Sequence, residues 1–146
     1  MASVFVDKPS DIYVSPAPQD RVYLTNDESP SLFFIGNGAA FAKTLNQTNV
    51  LVVKGDQHLL IDCGTKCSQA LYRLGMGIEQ IDNFLITHSH ADHVGGLKEV
   101  QLHRRYVVGQ KPTMVITETY QDILWNQSLR GGSEQSESQG LSFEDL

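Results

Sequence analysis

Residues 87–96 read THSHADHVGG, and four side chains able to ligate a metal, His88, His90, Asp92 and His93, fall within six positions. Imidazole nitrogen combined with carboxylate oxygen is a donor set that suits zinc. In an extended segment, residues two apart point the same way, so His88 and His90 can grip one ion together. Asp92 and His93 are displaced from that pair and can grip a second. Gly95 and Gly96 are expected to let the backbone turn tightly past the site. A single histidine here would read as part of a polar surface loop. Three of the chain's five histidines plus an aspartate at this spacing read as a metal site. The preceding run NFLIT, residues 83–87, is short, apolar and β-rich, which predicts a buried strand ending just before the cluster. Ligands on a loop beyond a strand end are held by a rigid scaffold.

The HxHxDH pattern of His88, His90, Asp92 and His93 resembles the metallo-β-lactamase superfamily of dinuclear metallohydrolases. That family places an acid upstream at the end of a strand, and the segment LLIDCGT supplies Asp62 there. Residues 36–53, GNGAAFAKTLNQTNVLVV, have a glycine-rich opening, an Asn and a hydrophobic strand running to the IDCG turn. This is similar to the ribonuclease Z-like branch. Within that branch, Gly36 to Gly96 is similar to phage anti-Pycsar cyclic-nucleotide phosphodiesterases, and the late stretch LWNQSLRGG, Leu124 to Gly132, has a similar character.

The resemblance implies an α/β (α+β) fold: the N-terminal half of an αββα sandwich, with a mostly antiparallel or mixed sheet and flanking helices. It implies a metal-dependent hydrolase, a phosphodiesterase that cleaves cyclic nucleotides or RNA-type phosphodiesters through a metal-bound hydroxide. The metals would be two Zn²⁺ per complete site, or Mn²⁺ in their place. Such ions lower the pKa of bound water and polarise the bond being cleaved, so no protein nucleophile is required. Asp62 and Asp92 would be the catalytic carboxylates, Asp62 orienting a ligand imidazole or the water. Fold and motif are shared with hydrolases of other esters, thioesters and lactams, which is the first alternative. A catalytically incomplete metal-binding fragment is the second.

The superfamily pattern also calls for a downstream histidine, a bridging aspartate and a final histidine. Two tetrahedral sites need roughly eight coordination positions, and the motif supplies four side chains. His103 follows with Arg104 and Arg105 beside it, which predicts a solvated helix face. His58 is expected to be exposed or hydrogen-bonded, and Glu118 and Asp122 lack motif context. One half of a two-sheet sandwich leaves its inner sheet face bare, and an apolar face of that size is rarely left so on a soluble monomer. The expected partners are therefore a missing C-terminal half or a second copy, with a small nucleotide or phosphodiester as substrate.

The elements that must position these residues follow from periodicity and turn chemistry. Short β-type runs occur at 11–15 and 21–24, and the sheet proper is predicted to start at 31–35. Strands at 49–54 and 58–63 flank a Gly55-Asp56 turn and deliver Asp62 to the edge of the histidine loop. A helix is predicted from Ser68, as N-cap, to Leu74, terminated by Gly75. Another is predicted over Val94 to Arg105, then a strand at 113–117 and a helix at 118–127. Cys63 and Cys67 are too few for a disulfide framework, and Cys63 is expected to be a small buried side chain.

The chain of 146 residues fits a single domain, incomplete on the ligand argument, and its hydrophobic content of 40% suffices for a core. Its net charge of −6 disfavours capture of long nucleic acid but leaves a small nucleotide open, because metal ions reverse the local field. Residues 131–146 hold acids, no Lys or Arg, and mostly small polar residues, which predicts a flexible acidic loop or tail. No apolar stretch approaches the ~20 residues of a membrane span. The N-terminus shows no signal-peptide pattern, so no membrane association and a cytoplasmic location are expected.

Overall fold

The computed structural model of the chain describes residues 22–27, 29–134 and 140–146. The predicted strand at 11–15 lies outside these residues. Five strands form one sheet, β1 (Ser31–Gly36), β2 (Asn49–Lys54), β3 (Gln57–Ile61), β4 (Asn83–Leu85) and β5 (Thr113–Val115), in spatial order β1-β2-β3-β4-β5. The first three are antiparallel neighbours, and β3, β4 and β5 run parallel. Parallel neighbours need a crossover, and helices supply both. Helix α1 (Cys67–Arg73) leads from β3 to β4; α2 (Ala91–Val94) and α3 (Leu97–His103) lead from β4 to β5. The result is a mixed sheet with flanking helices.

Local chemistry sets the ends of these elements. Gly55 takes φ 56° in the two-residue loop between Lys54 and Gln57, a conformation glycine adopts without penalty. Gly75 takes φ 83° after α1; its N–H donates to Tyr72 O and that of Met76 to Leu71 O, a Schellman stop. Ser68 does not cap α1. Lys66 holds that position, and the Ser68 hydroxyl lies inside the first turn, 2.6 Å from Glu99 Oε2. Residues 22–24 do not join the sheet; Val22 N donates to Gly75 O and the Tyr23 hydroxyl to Asp56 O. Helix α3 runs past its predicted end through a π-helical turn at Arg104–Val108. The Arg104 side chain is buried there, donating to Ile81 O and to Asp82 Oδ1, so that part of the predicted solvated face is interior. Helix α4 (Glu118–Ile123), capped by Thr117, continues through a π-helical turn into α5 (Arg130–Ser133).

Strand alternation sorts the sheet into two unlike faces. Phe33, Leu51, Leu60, Phe84 and Met114 stand in register across all five strands and face the helices. Cys67, Ala70 and Leu71 of α1, Val94 of α2, Leu97 and Val100 of α3, and Leu124 and Leu129 close that core. The opposite face carries the rows Leu32, Val52, Leu59, Asn83, Thr113 and Phe34, Val50, Ile61, Leu85, Val115. None of these ten residues is buried, and Leu32 and Phe34 are 62% and 60% exposed. Eight of them are apolar, a composition suited to packing against another layer.

Of the segment 131–146, residues 135–139 lie outside the described residues; after them, Leu141 and Leu146 are buried. Gln101 donates to Ser142 O, and a short 3-10 turn at Phe143–Asp145 is closed by the Ser142 and Asp145 side chains. Backbone hydrogen bonding to Ser142 holds the Asp145 carboxyl below its ordinary range, aided by Lys111 and Arg105. No helix among the described residues is long and apolar enough to cross a membrane.

The two faces respond differently to truncation. Leu60→Ala, at a fully buried position of the helix-facing row, is expected to destabilise the chain by about 2–5 kcal/mol. Leu32→Thr, on the bare face, is expected to cost no more than about 0.5 kcal/mol and to reduce binding of an apolar dye. Urea unfolding and dye fluorescence measure both.

Candidate metal centre

Two turns meet at the end of the parallel strands. The first is Asp62–Thr65, just beyond β3; the second is Thr87–Gly96, beyond β4. Their backbones interlock: Asp62 N donates to Leu85 O (2.8 Å), Cys63 N to His93 O (2.7 Å) and Gly96 N to Cys63 O (2.8 Å). Glycines make this approach possible by lacking Cβ. A Cβ at Gly64 would run into the Asp92 carbonyl, and one at Gly96 would stand 2.7 Å from Cys63 Sγ. Gly95 and Gly96 themselves have helical dihedrals (φ −64° and −84°). Their role is close packing and not the tight backbone turn expected of them.

Asp62 is the only non-glycine residue among those described with a positive φ, 62°. That conformation is uncommon and tolerated best by Asp and Asn. Its side chain is 8% exposed. Oδ1 accepts from Thr87 N (2.8 Å) and the Thr87 hydroxyl (2.9 Å), while Oδ2 stands 2.6 Å from His93 Nδ1. A carboxylate only accepts, so His93 Nδ1 carries a proton, and in the neutral ring its Nε2 presents a lone pair. Of the two roles open to Asp62, orienting an imidazole is the one its contacts match.

The four motif side chains stand as two close pairs. His93 Nε2 lies 3.2 Å from Asp92 Oδ2, and His88 Nε2 lies 3.0 Å from His90 Nδ1. The rings of His88 and His93 are 4.0 Å apart, so the pairs adjoin. With the ring neutral, Nε2 of His93 and the Asp92 carboxylate are both electron-rich, and a positive charge between them would relieve their repulsion. Ligands at about 2.0–2.1 Å from a tetrahedral zinc lie about 3.3 Å from one another, close to both observed separations. The donor chemistry and spacing therefore fit a divalent ion at each pair. Among the described residues no group of three or more His, Cys, Asp or Glu is arranged to hold one ion, so each pair by itself is half of a tetrahedral set.

Other residues sort around this centre. The Thr87 hydroxyl also lies 3.1 Å from His88 Nδ1, linking Asp62 to both pairs. The Tyr120 hydroxyl of α4 lies 2.9 Å from the hydroxyl of Ser89 within the motif. Burial raises the Tyr120 pKa, opposed by that hydrogen bond, so the phenol stays protonated at neutral pH. Neither contact is legible from local sequence: Thr87 adjoins the motif without belonging to it, and Tyr120 arrives from a separate helix. Hydrogen bonding to Cys67, then burial, pushes the Cys63 thiol well up, which keeps it a protonated core group. His58 is buried, with Nε2 2.6 Å from Leu24 O, and Asp122 accepts from Asn126. Glu118 stands in the first turn of α4. His103, half-buried, lines a groove of about 500 Å³ between α1 and α3 that includes no motif residue.

The profile of the family described as "Anti-Pycsar protein Apyc1" matches residues 30–146. The chain is 45% identical over 104 residues to an anti-Pycsar protein Apyc1 of Paenibacillus sp. (strain J14), covering 71% of this chain and 42% of that one. It is 39% identical over 120 residues to the anti-Pycsar protein Apyc1 of Bacillus phage vB_BsuM-Goe3, covering 81% and 46%. In structure it is similar to a diphosphatase from the PhnP family, with TM-score 0.53 and 22% identity over 66% of this chain and 45% of that one. It is also similar to human tRNase Z, short form, with TM-score 0.52 and 26% identity over 64% and 38%. The chain spans less than half the length of each of these four.

The interlocked turns give a direct test. Asp62→Ala removes the acceptor shared by Thr87 and His93 and leaves an unfavourable φ. It is expected to cost about 1–3 kcal/mol in urea unfolding. Asp62→Asn, which tolerates the backbone, should recover part of that loss while changing the His93 tautomer balance read from imidazole nitrogen shifts.

Proposed function

We propose that this chain, which belongs to the anti-Pycsar protein Apyc1 family, carries one ligand-bearing side of a metal-dependent phosphodiesterase site for small nucleotides. The observation that carries this reading is the juxtaposition of two donor pairs at one edge of the sheet, each close to the separation of neighbouring ligands on a tetrahedral ion. His88 and His90 would hold one divalent ion, and Asp92 and His93 a second. Zinc suits these donors, and manganese is the alternative. When bound, such ions supply Lewis acidity and a more acidic water.

The chain's own residues then have distinct work. Asp62 acts as a positioning residue: it fixes the His93 ring through Nδ1, so Nε2 faces Asp92. Thr87 bridges Asp62 and His88 and holds the first pair in line with the second. The protonated Tyr120 phenol, tied to Ser89, braces the outer side of the histidine turn. A phosphodiester is a fitting substrate in electrostatic terms. A chain of net charge −6 repels an anion except where metal charge reverses the field.

Donors for the remaining coordination positions, and cover for the bare sheet face, would come from further protein: a complementary half or a second copy. This favours a second reading as well, that the 146-residue chain by itself binds metal incompletely and does not turn over substrate. The two readings are compatible, since the first concerns the assembled site.

Two measurements decide these points. Elemental analysis of purified protein should show zinc or manganese, and the His88→Ala/His90→Ala double variant should lose about half of it; unchanged content would remove these residues from the site. Light scattering of the isolated chain should show association or aggregation, with no hydrolysis of cyclic nucleotides or bis-p-nitrophenyl phosphate. A stable monomer that hydrolyses cyclic nucleotides and loses that activity on His93→Ala would show that the chain needs no further half.

A further inference from the structure

Phe41 is the most exposed of the large apolar side chains described, at 87%. It does not sit on a loose excursion. The loop from Gly38 to Thr48 is closed at its base, where Gly38 N donates to Asn46 O (2.7 Å) and Thr48 N to Gly38 O (3.1 Å). At the tip, a turn is closed by Ala42 N donating to Ala39 O (3.0 Å), with Phe41 at its third position. The residues on either side of Phe41 are tied inward: Gln47 Nε2 donates to Ala40 O, and Lys66 Nζ to Ala42 O at 2.6 Å.

These ties lead to the candidate metal centre. Gln47 is buried and its Oε1 accepts from the Thr65 hydroxyl and from Lys66 N, both at 3.2 Å. A Cβ on the neighbouring Gly64 would meet Gln47 Oε1 on one side and the Asp92 carbonyl on the other. One buried amide thus fastens the loop carrying Phe41 to the turn that touches the Asp92 backbone. An aromatic ring held in water by an ordered loop costs hydration free energy that ring stacking would recover. Its conformational entropy has already been reduced by the anchoring, which favours binding.

We propose that Phe41 is a stacking platform for the base of a nucleotide whose phosphodiester lies at the metal centre. This rests on the phosphodiesterase reading above and deepens it: the ring makes the site select a base-bearing ester over a bare one. Stacking tolerates any base, because each has a π-face, so the platform confers breadth across purine and pyrimidine substrates. Phe41→Trp preserves the interaction, and Phe41→Ala removes it.

The assembled, metal-loaded protein tests this with two substrates, a 3′,5′-cyclic nucleotide and a ribose 3′,5′-cyclic phosphate without a base. Phe41→Ala is expected to raise KM for the nucleotide at least about tenfold more than for the base-free ester, and Phe41→Trp to restore it. Equal effects on both substrates, or no effect on the nucleotide, overturn the proposal; the former marks Phe41 as a packing residue. If the wild type hydrolyses neither substrate, the phosphodiesterase reading falls, and an NMR titration of the same assembled protein judges Phe41 separately. Adenosine 5′-monophosphate should shift the Phe41 ring resonances and ribose 5-phosphate should not. Absence of that difference also overturns the proposal.

Discussion

The Asp62 carboxylate is the junction on which the candidate centre depends. It joins the ends of two parallel strands by accepting from Thr87 N, and it aims His93 by accepting a hydrogen bond from Nδ1–H. To reach both, the residue adopts φ 62°, which costs backbone energy that the surrounding contacts offset. Its two oxygens are occupied by the protein and nearly removed from solvent. The carboxylate is thereby a structural anion: a fixed negative charge behind His93 that raises the ring's electron density toward Asp92. Around it, three chain positions must be glycine for steric reasons, because the two turns are too close for any side chain at Gly64, Gly95 or Gly96 without displacement.

Much of this was legible in the sequence because the signals were local. Ligand types at fixed spacing mark His88, His90, Asp92 and His93, and a hydrophobic run ending at Asp62 marks its strand. Periodicity and turn residues located all five strands of the sheet to within a few residues. What escaped depends on tertiary neighbours. Ser68 looks like a cap, yet Glu99 from another helix claims its hydroxyl. Arg104 looks like a surface charge, yet Ile81 O and Asp82 draw it inside. Leu141 and Leu146 lie in a stretch of tail-like composition, yet both are buried, Leu146 against the core. Tyr120 reaches the histidine turn only because β5 sets down the start of α4 beside it. No pattern within ten residues of Tyr120 announces that contact.

The same alternation that builds the core also builds the unshielded face. On β2, Leu51 and Val53 are buried while Val50 and Val52 are only half-buried, although all four are aliphatic. A strand meant to have solvent on one side carries polar residues there. Apolar residues on both sides belong to a strand with protein on both sides. Under the function proposed above, one further layer would both cover this face and supply the remaining donors. Relatives more than twice as long as the matched segment accord with this.

Strand order in the sheet is identical to order along the chain. No strand is inserted between two that precede it, so each docks on a template already made. The β2–β3 hairpin closes over two residues, and the later strands join through single helical crossovers, which keeps loop-closure entropy low. Folding can therefore follow synthesis from the N-terminal side, adding one layer edge at a time. In that sequence of events Asp62 is in place before the histidines emerge. The pairing of β4 with β3 is then the step that brings Asp62 and the histidine turn together.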